Sequence, residues 1–107
     1  MKVINVQAAA AAAVSSSPMR PATAAVHDVP VVRLVVFRIE PGQQVAPHTN
    51  PGTVLLTVLS GCGTISGDGE THEVGEGSVV AYSPGELHAM RAGDEPFCLL
   101  ATIIHPR

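Results

Sequence analysis

From His27 onward, apolar and polar residues alternate in short runs cut by glycine and proline, and no helical period competes with that pattern. "VPVVRLVVFRIE" is rich in β-branched residues and bounded by Pro30 and by Pro41-Gly42, which predicts a strand. "TVLLTVLS" predicts a second, ending at the Gly61-Cys62-Gly63 break. "GTISGDGETHEV" carries Asp68-Gly69, a hairpin signal whose two central positions both favour φ > 0. "SVVAY", "LHAMRA" and "FCLLATII" follow, separated by Ser83-Pro84-Gly85 and by the turn from Gly93 to Pro96. Many short strands at close spacing predict an all-β, antiparallel sandwich or barrel.

The first 26 residues follow another pattern. "VINV" has the character of an edge strand. The six-alanine run Ala8–Ala13 favours helix but is marginal in isolation, and Ser15-Ser16-Ser17-Pro18 ends whatever forms. The predicted organisation is an N-terminal arm over 1–26 and a barrel domain over 27–107. The arm has one lysine and an apolar stretch interrupted by Asn5 and Gln7, too weak a centre for a secretory segment, so it is read as part of the mature chain.

Composition narrows the function classes. The chain has 107 residues, 46% hydrophobic and 3% aromatic, which calls for one aliphatic core. Seven of the nine acidic residues follow Gly67, and the six basic ones are scattered, so no basic stripe exists to follow a phosphate backbone and nucleic acid is not an expected partner. No apolar run reaches membrane-spanning length. Cys62 and Cys98 read as two buried thiols of a cytoplasmic protein rather than a disulfide framework.

Two punctuated segments, "PGQQVAPHTNPGTVLLTVLSGCG" and "GSVVAYSPGELHAMRA", resemble the paired motifs of the cupin superfamily. In the first, Gly42, His48 and the closing Gly61 stand at motif positions. In the second, Gly77, Gly85 and His88 do, with Ser83 at the motif's proline position and Pro84 beside it. The resemblance covers about three quarters of the chain and implies a single jelly-roll barrel, a double-stranded β-helix. The family's metal cage takes two histidines and a glutamate from the first motif and one histidine from the second. Here His48 and His88 keep their places, Asn50 stands at the second histidine position, and Thr53 or Val54 at the glutamate.

That substitution pattern weakens any metal centre. An uncharged Asn carbonyl is a poor donor to Zn, Fe, Ni or Mn, and the loss of the glutamate removes the anion that would offset a dication. His48 and His88 are therefore either the ligands of a weakly held divalent transition metal or a hydrogen-bonded pair. The candidate ligand pocket comprises His48, Asn50, Tyr82, His88 and Arg38. Tyr82 either turns its phenol into the cavity or covers a barrel end. Arg38 shares strand parity with Val32, Leu34 and Val36. Either that row faces the cavity, where the guanidinium would meet a carboxylate, or it packs outward with Arg38 reaching water. His72 reads as a strand histidine rather than a third ligand.

No nucleophile elbow, triad or phosphate-binding glycine loop is present. The leading reading is a small single-domain cupin that binds an apolar or weakly acidic small molecule. The alternatives are a metal-dependent dioxygenase or isomerase using His48 and His88, and a sensory or regulatory binding module. A homodimer is expected, because "VPVVRLVVFRIE" is apolar on both alternating faces and the second face needs cover.

Overall fold

The computed structural model describes residues 1–106. Nine strands form two antiparallel sheets. The first sheet has the order β1-β2-β9-β4-β7, with β1 Ala22–Asp28, β2 Val32–Ile39, β4 Thr53–Ser60, β7 Val79–Tyr82 and β9 Phe97–Ile104. The second has the order β3-β8-β5-β6, with β3 Gln44–His48, β5 Cys62–Gly67, β6 Glu70–Gly75 and β8 His88–Ala92. They face each other as a jelly roll. Val35 and Ile39 of β2, Leu56 and Val58 of β4 and Phe97 and Leu99 of β9 meet Ile65 of β5 and Met90 of β8 in one aliphatic core.

The strands expected from hydrophobic alternation all form, and two more join them. The alanine-rich β1 pairs along β2, so residues 22–26 belong to the sheet and the expected arm boundary at residue 26 falls inside a strand. β3 carries Pro47 and pairs only with β8, with its register shifted between Val45 and His48. An edge position tolerates a proline that a central strand would not. The Asp68-Gly69 turn also differs from expectation: only Gly69 has positive φ, at 71°.

No strand forms at "VINV": residues 3–5 are irregular, and Val6 opens a helix that runs along the alanines. Asn5 caps α1, Val6–Ala12, by accepting the Ala8 amide on Oδ1 at 3.0 Å. Seven residues are too few for an isolated helix. Tertiary contact holds it: Ala10 and Ala13 are buried against Ala22 and Val36 on the outer face of the first sheet. No helix among the described residues is long and apolar enough to cross a membrane.

Glycine is required at Gly61, between β4 and β5. Its φ is 75°, and a Cβ there would collide with the Pro96 carbonyl oxygen. This turn carries the chain from one sheet to the other.

Candidate functional site

β3 and β8 place His48 and His88 directly opposite each other as registered partners. Their ring centroids lie 5.0 Å apart at an interplanar angle of 75°. His48 is exposed, with Nδ1 3.0 Å from the Ala46 carbonyl, which fits the tautomer that donates from Nδ1 and leaves Nε2 free to accept. His88 is only 2% exposed, and its Nε2 has no hydrogen-bond partner among the described residues. A buried polar nitrogen left unpaired costs free energy of about 1–3 kcal/mol. Such an atom marks a place where a ligand would gain.

Tyr82 forms the wall behind His88. The two rings stack with centroids 4.0 Å apart and planes 28° from parallel. The phenol donates to the Ser66 carbonyl at 2.6 Å, so its proton is already engaged. Burial, then the Glu86 carboxylate, push its pKa up to about 12, against a smaller opposing effect from a backbone hydrogen bond at Ala89. Tyr82 therefore stays neutral and positions the imidazole. It is no acid or base at ordinary pH.

Two carboxylates set the potential around His88. Asp68, in the β5–β6 turn, accepts the Leu87 amide at 3.0 Å, and Glu86 accepts the Ser83 amide at 3.0 Å. Burial lowers the pKa of His88 and proximity to His48 lowers it further, while Glu86 and Asp68 act in the opposite direction. Burial prevails, so His88 is a neutral imidazole near pH 7. Sequence reading missed Asp68 and Glu86 as neighbours of this site. Asp68 lies on a separate hairpin, and only the contact between turns reveals it.

The remaining candidates are placed elsewhere or already engaged. The Oδ1 of Asn50 accepts the Gly52 amide at 2.8 Å, closing a local turn that leads into β4. Arg38 does not line the pocket. Its row packs outward beneath α1, and the guanidinium donates to the carbonyls of Ala10, Ala11 and Ala13 while pairing with Glu40 at 3.1 Å. The reason is local: a short helix leaves carbonyls unsatisfied at its C-terminal end, and a forked cation satisfies several at once. His72 is exposed on the edge strand β6, 3.7 Å from Glu70. Cys62 is exposed and Cys98 half-buried, both as free thiols, which corrects the expectation of two buried ones.

The donor set does not suit a tightly held metal. Among the described residues, no three His, Cys, Asp or Glu side chains are grouped to hold one. Two imidazoles remain, against the three protein ligands typical of catalytic zinc.

Comparison with known proteins agrees with this architecture. The chain is 44% identical over 50 residues to the (R)-mandelonitrile lyase of Granulicella tundricola, a match covering 46% of this chain and 38% of that protein. The match thus spans well under half of the relative's length. A conserved protein of unknown function from Streptococcus pyogenes superposes with a TM-score of 0.80 at 27% identity, covering 99% of this chain and 89% of that one. A double-stranded β-helix protein from Klebsiella pneumoniae gives 0.84 at 26% identity, covering 97% and 90%. The Cupin domain family matches residues 35–103, from the middle of β2 to Ile103, just before β9 ends at Ile104. With both motif segments inside that match, the chain belongs to the cupin family.

Proposed function

We propose that this cupin binds an apolar or weakly acidic small molecule at the His48–His88 pair, with at most a weakly held divalent cation there. The observation that carries the reading is the unpartnered Nε2 of His88, buried beside an exposed imidazole. A ligand hydroxyl is suited to this arrangement, since it can donate to one ring nitrogen and use its lone pairs toward another donor. Stacked Tyr82 holds His88 in place, and His48, which meets it edge-on, is exposed to solvent. Free Cys62 and Cys98 support a reducing compartment such as the cytoplasm.

A second reading, an enzyme acting through the same pair, is favoured by the likeness to a mandelonitrile lyase over 50 residues. In that reading the neutral His88 is the proton acceptor, because its lowered pKa keeps it unprotonated. If a divalent cation were held by His48 and His88 instead, it would supply Lewis-acid polarisation and the His88 lone pair would no longer be free to take the proton.

Mandelonitrile titrated into protein with ¹⁵N-labelled histidine separates these readings. Saturable shifts of both ring signals without loss of mandelonitrile support binding alone. Loss above the protein-free rate, abolished in His88→Gln, supports the enzyme. If neither ring responds to mandelonitrile or to zinc chloride, the pair is not a ligand site.

We further propose that two copies pair through the outer face of the first sheet. Cross-strand neighbours there form rungs with no Asp, Glu, Lys or Arg: Val32–Ile104–Thr53, and Leu34–Thr102–Leu55–Ala81 with His27 of β1 at the end of the second. A solvated sheet face would carry more polar side chains, and α1 packs chiefly on β1, β2 and β9. Val79 and Ile104 remain 60% and 41% exposed. A second copy presents the same neutral surface, so pairing opposes no like charges in a chain of net charge -3.

A further inference from the structure

Away from the histidine pair, a groove of about 550 Å³ opens on the flank where β1 and β3 are the free edges. That volume lies in the range of small-molecule sites. The arm builds one wall. Val14 bridges to Thr23 of β1, and the Ser15 hydroxyl bonds the carbonyls of Ser17 and Arg20, closing residues 15–20 into a compact turn. Gln43 fastens this turn to the barrel by donating to the Pro18 carbonyl at 2.8 Å. Gln44, Val45 and Ala46 of β3 form the opposite wall, and Phe37 lies between.

The lining has a simple chemistry. Val14, Pro21, Phe37 and Val45 supply apolar surface, and Arg20 is the one charged side chain. Among the described residues the Arg20 guanidinium has no ion pair, whereas Arg33 pairs with Asp28 and Arg38 with Glu40. The opposite flank, between β6 and β7, holds a cleft of about 440 Å³ lined by Glu70, Glu73 and Glu86 with no lysine or arginine. One flank therefore attracts an anion and the other repels it.

From this we infer that the groove between the arm and β3 is a binding site for an apolar monocarboxylate. The Arg20 fork donates to the carboxylate oxygens, with the side chains of Ser16 and Gln44 as further donors, and the hydrocarbon tail lies on Phe37 and Val45. One unpaired cation matches one negative charge, and a dianion would leave the second charge uncompensated. The site is distinct from the histidine pair and touches it at one point: Ala46 lines the groove, and its carbonyl bonds His48.

Octanoate is the probe, titrated by calorimetry and followed by amide shifts of Thr23, Val45 and Ala46. The expected result is saturable one-to-one binding that weakens at least about tenfold for octanamide, which keeps the tail and loses the charge. Arg20→Gln is expected to weaken octanoate equally and octanamide not at all. Arg20 is exposed and its side chain anchors nothing in the fold, so that variant remains folded. Equal octanoate affinity in Arg20→Gln overturns the assignment. So does the absence of saturable binding at millimolar octanoate, or a response confined to His88. Mandelonitrile shifts at the histidine rings are read from separate signals, so failure of one site is distinguishable from failure of the other.

Discussion

The imidazole of His88 is held between two rings, stacked on Tyr82 at 4.0 Å between centroids and met edge-on by His48 at 5.0 Å. This enclosure makes the most deeply placed ionisable group of the site a neutral one.

A pH dependence of stability follows. Burial and His48 lower the folded-state pKa of His88 below its ordinary 6.5. As pH falls, the unfolded chain takes up this proton first, so the folded state loses stability relative to it. The contribution is fully present above pH 6.5 and declines as pH drops through that value toward the lowered folded-state pKa. The urea midpoint is expected to be lower at pH 5 than at pH 7.5, and His88→Phe is expected to flatten that difference. An equal acid loss in the variant would place its origin elsewhere.

Arg38 secures the arm. Its guanidinium satisfies carbonyls at the end of α1 and is tied to Glu40. Arg38→Ala is expected to cost about 2 kcal/mol, the scale of hydrogen bonds to a charged group. Loss of amide-exchange protection should be concentrated in residues 6–13, with the barrel strands less affected. Arg38→Lys should recover only part of it, because a single ammonium cannot fork across several carbonyls.

The dimer proposed above has a direct readout. Light scattering at micromolar concentration is expected to give twice the chain mass, and Leu55→Glu should give a monomer by placing a charge in the middle of a rung with no Asp, Glu, Lys or Arg. A wild-type monomer would remove the case for pairing through this sheet.

Gly61→Ala tests the turn that closes the first motif. Left-handed backbone costs a residue with a Cβ about 1–2 kcal/mol, and here the Cβ also meets the Pro96 carbonyl. A loss of at least about 2 kcal/mol in urea unfolding is expected. Gly69→Ala, at a similar φ but with open space around it, should cost less.

Local pattern alone determined much of this molecule. Thr53–Ser60 and Phe97–Ile104 stand out as strands because β-branched and aliphatic residues are bounded by breakers, and both form with those limits. The motif spacing that placed His48 and His88 together was also legible, since strand pairing converts fixed distances in sequence into proximity in space. Other features required the assembled fold. The arm's helix, with Val6 at its start and five alanines in its body, is stable only because the outer sheet face receives it and Arg38 arrives from 25 or more residues away to cap it. Whether Arg38 faced the cavity or the outer surface could not be read from strand parity, because both faces of β2 are apolar. The Asp68 and Glu86 carboxylates near His88, and the groove beside Arg20, arise where turns and edges from distant parts of the chain meet. Hydrophobic periodicity reports which side chains leave water. It carries no record of which neighbour each one finds, and that neighbour determines the charge state of His88 and the partners of Arg38.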